Sequence, residues 1–279
     1  MRTARGVEAA PCDPEPGSAP WGLALTDLDL SWGTPEDMDL SDCAFAVMRA
    51  DSPRLRDHAH RLRYRAYCVE NPFENPADHP EGRERDPFDE RAVHSLLIHK
   101  PTGMAVGTVR LILQDAHAPV ELPIQHACAD LDTLGRLCAA GHRLGEVSRF
   151  CLSREALKEA RRANGSRNAD GGPRAPEGLT ATLTLLSAVV GMAAAEGVSH
   201  ICAMMAPTLL RLFSGFGLKL RELGPLMEHH GLRQPVFSHL GDLLSGAYRV
   251  RPDAWSLITQ NGKLWPLVPV AQAPLESAA

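Results

Sequence analysis

Apolar and polar positions along the 279-residue chain fall into blocks with different periods, and these predict the elements. From Ser52-Pro53 onward, Leu55, Ala59, Leu62, Ala66 and Val69 recur on one stripe, which predicts a helix with Ser as N-cap and Pro at its first position. It should end before Asn71-Pro72. Two β-rich runs, Ala92 to His99 and Met104 to Leu113, flank Lys100-Pro-Thr-Gly103 and predict an antiparallel hairpin. In the second run Val106, Thr108, Arg110 and Ile112 share one face, while Gly107, Val109, Leu111 and Leu113 share the other. Arg110 therefore stands among residues compatible with burial, although an exposed arginine is the simpler expectation. Leu144 to Ser153, LGEVSRFCLS, predicts a third core strand that carries both signs of charge.

Beyond it, Arg154 to Ala163 is basic and helix-like, and Asn164 to Glu177 reads as a loop or insertion. Leu179 to Glu196 is apolar on nearly every side, which predicts a helix buried between other elements. Ser199 to Ala206 reads as a strand, Pro207 to Ser214 as a short helix closed by Gly215-Phe-Gly217, and Lys219 to Leu223 as another strand. Gly224-Pro225 breaks the pattern before Leu226 to Pro235. This order predicts one mixed α/β domain over residues 39–265, with a loop insertion at 163–178. Residues 1–38, rich in Pro, Asp and Gly, read as a partly disordered arm, and 266–279 as a tail.

A composition of 44% hydrophobic and 23% charged residues supports a substantial core. The net charge of −5 gives no footprint for nucleic acid or an anionic membrane, which leaves a small molecule or another protein as partner. Seven cysteines (Cys12, Cys43, Cys68, Cys128, Cys138, Cys151 and Cys202) are scattered without a C-x-x-C pair, as expected of reduced thiols. Cys128, Cys138 and His142 lack the second pair a zinc site needs, so no metal is expected. No apolar run reaches the roughly 20 residues of a membrane span, and the N-terminus has no signal-like apolar segment. A cytoplasmic location is expected.

Two constellations carry candidate chemistry: Glu84-x-Asp86-x-x-Asp89 and Glu146-x-Ser148-Arg149, with Arg110 on the strand between them. On the residues alone, an ion-pair network or surface exposure is the simpler account. In a regular strand Glu146 and Ser148 share a face and Arg149 points the other way. Glu146 and Arg149 can serve one site only if a β-bulge intervenes. The serine-hydrolase elbow, the phosphate-binding loop and the H-E-x-x-H zinc motif are all missing from the sequence.

At these residues the chain resembles the acyl-homoserine-lactone (autoinducer) synthases, the N-acyl amino acid synthases and the PEP-CTERM/exosortase-associated acyltransferases, all of the GNAT-like acyltransferase fold. The ordered matches are Arg63 with Tyr67, then Phe73, then Glu84/Asp86/Asp89, then Arg110-Leu111, then Glu146-Val-Ser148-Arg149-Phe150. The exosortase-associated branch is similar over further segments, including RLRYRAYCVENPFEN (61–75) and LGPLMEHHGLRQP (223–235). Where that branch has Met-Glu-Pro, this chain has Met205-Ala206-Pro207.

The resemblance implies a central mixed sheet with a splayed-strand cleft flanked by helices. It implies transfer of a long-chain fatty acyl group from acyl carrier protein, or from acyl-CoA, to the α-amine of an amino acid or similar small amine, with no bound cofactor. Two alternatives are a homoserine-lactone synthase using S-adenosylmethionine and a non-catalytic acyl-binding or regulatory protein. Glu84 is the first candidate for the base and Glu146 the second. Arg63, Tyr67, Phe73, Asp86, Asp89, Arg110, Ser148, Arg149 and Phe150 are expected around the substrates. CoA-using acetyltransferases grip pyrophosphate with a glycine-rich loop and helix N-terminus after the central strand. Here Ser153 to Arg162 lacks those glycines, which favours a carrier protein met by Lys158, Arg161 and Arg162. His229-His230 has no assigned role.

Overall fold

Among the described residues, eight strands make one mixed sheet: β1 (Phe45–Arg49), β2 (Ala92–His99), β3 (Met104–Leu113), β4 (Leu144–Leu152), β5 (His200–Met205), β6 (Arg221–Glu222), β7 (Met227–Glu228) and β8 (Leu232–His239). Their order is β1-β2-β3-β4-β5-β8-β6, with β7 paired to β8 off that path. The computed structural model describes residues 43–114, 122–126, 134–136, 141–164 and 177–266. The expected arm, most of the expected 163–178 loop and nearly all of the tail, together with Cys128 and Cys138, lie outside the described residues.

The hairpin of β2 and β3 has the predicted boundaries. His94 faces Arg110 across it, while Val93 faces Leu111, so the two faces alternate as the period-2 pattern requires. The buried apolar residues Leu97, Val109 and Leu111 join the main core. Across β1 to β4 runs α3 (Glu177–Ala195), the all-round apolar helix, which also packs on α6 (Pro252–Thr259). By length and composition α3 passes for a membrane span, but most of it is buried inside the protein, as a core helix would be.

The first helix, α1 (Pro53–Tyr64), starts where Ser52 Oγ accepts the Leu55 N–H at 3.2 Å. It crosses β2 and β3 and then widens into a π-helical turn, Arg65–Glu70. That turn shifts the helical register. Val69, expected on the buried stripe, is consequently exposed, and Cys68 and Glu70 are buried instead.

β4 pairs antiparallel with β3 along its length but parallel with β5 only from Leu144–His200 to Val147–Ala203. Past that point the two strands share no bonds and diverge, and Met204 and Met205 pair only with β8. This splay at the centre of the sheet opens the site. Further helices among the described residues are α2 (Arg154–Asn164), α4 (Pro207–Gly215) and α5 (Leu240–Val250). β1, β8, α5 and α6 were not expected from the sequence pattern, and the expected 219–223 strand shrinks to Arg221–Glu222.

Candidate active site

Three guanidiniums and four carboxylates form a lattice between the α1 end and β4. Arg63, wholly buried, donates to Glu84 and, at 2.6 Å, to Asp89. Arg110 is also buried, against the expectation of exposure; its Nη1 donates to Asp86 at 2.6 Å and Asp89 at 2.7 Å, and its Nε to Ser148 Oγ at 2.9 Å. Arg149 reaches Glu84 at 2.9 Å, Glu74 at 3.1 Å and Asp86 at 3.3 Å. A buried guanidinium is tolerable only when its donors find acceptors, which is why the acids stand at this spacing. The E-x-D-x-x-D stretch is shaped for the purpose. Asp86 caps the 3₁₀ turn Pro87–Arg91, and Asp89 accepts the Asp86 N–H in return, at 2.9 Å.

The required bulge is present. Thr108 faces Cys151 and Arg110 faces Ser148, so Arg149 and Phe150 together oppose Val109. Arg149 takes a left-handed φ of 51°, a conformation that costs a non-glycine residue about 1 kcal/mol or more. Its hydrogen bonds to three carboxylates hold it there. The bulge re-aims the strand so that Glu146, Ser148, Arg149 and Phe150 all line one cavity.

That cavity, of about 540 Å³, occupies the splay. Its polar end holds Asp86, Arg110, Glu146, Ser148 and Arg149; its apolar end is walled by Phe150, Leu186, Val189, Leu209, Phe213 and Leu243. Glu146 differs from every other acid of the site. Its carboxylate accepts only the Ile124 N–H, at 2.8 Å, among the described residues, and it is 3% exposed. Burial raises its pKa from 4.5 to about 7, with the Ile124 N–H and the more distant Arg110 opposing only in part. Glu84 goes the other way. Burial would raise it, but the guanidiniums of Arg63 and Arg149 outweigh burial and lower it to about 2.

Residues 62–161 match the family model described as an acetyltransferase (GNAT) domain. The fold of the chain is GNAT-like. Its fold is similar to that of TofI, solved in a ternary complex with an inhibitor and MTA, at a TM-score of 0.50 and 18% identity over 75% of this chain and 98% of that one. Two further solved structures are similar at a TM-score of 0.48. One is FeeM, an N-acyl amino acid synthase from uncultured soil microbes, at 16% identity over 74% of this chain and 96% of that one. The other is BjaI, a CoA-dependent acyl-homoserine lactone synthase, with SAM and isopentyl-CoA, at 19% identity over 78% and 89%. No curated protein sequence matches the chain.

Within this fold the expected residues divide. Tyr67, Asp86, Arg110, Glu146, Ser148, Arg149 and Phe150 line the cavity. Arg63, Glu84 and Asp89 lie behind that wall, where their bonds brace Arg110 and Arg149. Phe73 stands outside the lining, its ring 6.3 Å from that of Tyr67 and 5.8 Å from that of His230. Lys158 and Arg161 are exposed but paired, to Glu155 and Glu177, while Arg162 is exposed and makes no ion pair among the described residues.

Other site residues escaped the sequence reading. The Pro123–His126 turn supplies the only described bond to Glu146, and Glu74 pairs with Arg149 and His230. His229, His230 and Arg233 line the cavity, with the Arg233 guanidinium 5.9 Å over the Phe73 ring. LGPLMEHHGLRQP marks those last residues in the sequence, but no spacing there assigned them to the site. His60, Asp89 and His94 cluster closely enough for a metal ion. Asp89 also serves the guanidiniums of Arg63 and Arg110, and burial together with Arg63 lowers His60 to about 4 and His94 to about 3, so both imidazoles are neutral.

Proposed function

We propose that the protein transfers a fatty acyl group from the thioester of acyl carrier protein to the α-amine of an amino acid or similar small amine, in the cytoplasm. The observation that carries this reading is one continuous cavity. It joins a buried proton acceptor, Glu146, to an apolar bore formed by the splayed strands, α3 and α4. A pure lipid binder needs the bore alone; a proton acceptor at its head is what amide formation requires. The motif series and the GNAT domain over residues 62–161 support the same chemistry.

The amine must be neutral to attack. Glu146, half ionised near neutral pH, takes its proton directly or through one water. The amine nitrogen then bonds to the thioester carbon, and the oxygen gains charge, for which the backbone N–H groups of the Arg149–Phe150 bulge are the donors. Collapse breaks the C–S bond and releases the carrier thiol; the proton held by Glu146 passes to sulfur, and the second proton lost by the nitrogen goes to water.

Glu84 has no part in this transfer. It is an acid far below its usual pKa, 1% exposed and tied to two guanidiniums, so it fixes Arg149 rather than accepting protons. Asp86, at the cavity wall, faces the acceptor's ammonium before deprotonation. The three guanidiniums already meet four carboxylates, so Arg110 and Arg149 serve as scaffold more than as anchors for an incoming carboxylate. The free thiols among the described cysteines fit a reducing compartment.

The test is incubation of the purified protein with long-chain acyl carrier protein and a pool of amino acids, with products identified by mass spectrometry. N-acyl amino acids are expected. An acyl lactone formed only when S-adenosylmethionine is added would replace the amino-acid acceptor, and acyl binding without turnover would overturn the catalytic reading.

A further inference from the structure

The start of α2 is where β4 leaves the cavity, and a helix N-terminus there is a natural seat for phosphate, since its first N–H groups have no partners within the helix. In this protein every one of those groups is already taken. The Arg154 N–H donates to Glu70 Oε2 at 2.8 Å and the Glu155 N–H to Glu70 Oε1 at 3.4 Å. The Ala156 N–H donates to Ser153 Oγ at 3.1 Å, the Leu157 N–H to the Ser153 carbonyl at 3.0 Å, and the Ser153 N–H to Val106 on β3.

Glu70 is the unusual member. It comes from the π-helical turn after α1, is 5% exposed, and also accepts the Ser153 hydroxyl at 2.5 Å. The nearby cations are engaged as well. Arg65 lies 3.6 Å from Glu70 and pairs with Glu159, and Arg154 Nη2 donates to the Glu70 carbonyl at 3.3 Å. A diphosphate arriving here would meet no free N–H and a carboxylate of its own sign.

We infer that Glu70 is an internal counter-anion that selects the acyl donor: it fills the anion seat of α2, so the donor enters by its thioester arm alone and is a carrier-bound acyl group rather than a nucleotide thioester. The inference rests on the acyl-transfer reading above and assigns its donor preference to one residue. Glu70 touches no reacting atom; it acts through the helix start.

The experiment compares one acyl group on CoA, on pantetheine and on acyl carrier protein, using the full-length chain. Acyl-CoA and acyl-pantetheine should agree in kcat/KM to within about three-fold, and the carrier-bound donor should exceed both by about ten-fold or more. A preference for acyl-CoA over acyl-pantetheine of about ten-fold or more would overturn the inference, because that difference is the diphosphate's. Calorimetry with free CoA gives a readout independent of turnover. Wild type should show no binding that depends on the diphosphate, and Glu70→Gln should gain it by about ten-fold. Tight CoA binding by wild type, lost with pantetheine, overturns the inference even if no donor is turned over. Absence of turnover with every donor, alongside unchanged calorimetry, instead sinks the acyl-transfer reading and leaves the filled seat standing. If Glu70→Gln fails to fold, the two wild-type comparisons still decide.

Discussion

Replacing Glu146 by Gln should move activity and stability in opposite directions. The carboxyl is buried, and its pKa rises from 4.5 to about 7 because ionisation there is poorly solvated. That shift disfavours the ionised form by about 3 kcal/mol. The sign follows from proton binding. The folded carboxyl keeps its proton to about pH 7 while the unfolded one loses it near 4.5, so the stabilising advantage is full below 4.5 and is lost as pH rises through 7. Glutamine never ionises and can still accept the Ile124 N–H. Urea denaturation of both proteins should therefore show the variant gaining about 2 to 3 kcal/mol on wild type between about pH 5 and pH 8.5, whatever the offset at low pH. Turnover should fall by about 10² to 10⁴. Wild-type kcat/KM should rise about ten-fold per pH unit below 7 and level above it. A stability difference that is flat with pH, or full turnover in the variant, would refute the assignment of a raised, proton-accepting Glu146.

Other perturbations probe the frame around it. Arg63→Ala leaves Glu84 and Asp89 buried without their guanidinium, and should cost about 3 to 5 kcal/mol by chemical denaturation. Glu84 is held at about 2 and Asp89 below its ordinary 3.8, so the stability they contribute is present above about pH 4.5 and should be lost as pH falls toward 2; an acid titration followed by circular dichroism checks this. A Cβ at Gly107 would lie 2.7 Å from Leu152 Cδ2 and 2.8 Å from the Cys151 carbonyl, so Gly107→Ala should destabilise by about 1 to 3 kcal/mol in the same denaturation assay. Leu209→Trp intrudes on the apolar end of the cavity and should shift products toward shorter acyl chains in mass spectrometry, with little change in the rate for the shortest donors.

How much was legible follows from the range of each interaction. The helix from Pro53, the β2–β3 hairpin, β4, α3 and β5 were readable because their signals are local: a Ser-Pro cap, a period of two, an apolar run. β8 was not, because Pro235 and the start LRQ disguise a strand that its pairing with β5, β6 and β7 makes into one. Val69 misled because the π-turn that rotates it outward depends on Glu70 being bound by Ser153 and the start of α2, 84 residues away along the chain.

The acids and arginines of the site could be named from their order, and the need for a bulge could be stated from strand alternation. Their roles could not. Glu84 and Glu146 are the same residue type; what separates a carboxylate near 2 from one near 7 is that Arg63 and Arg149 converge on the first while only the Ile124 N–H meets the second. The sequence by itself determined the elements with local signals, from the Pro53 helix to β5, and the order of the charged residues that meet at the site. Only the tertiary structure decided which acid was left with a single described hydrogen bond, where the sheet opens, and that Glu70 fills the start of α2, because each of these depends on desolvation and on contacts between segments distant along the chain.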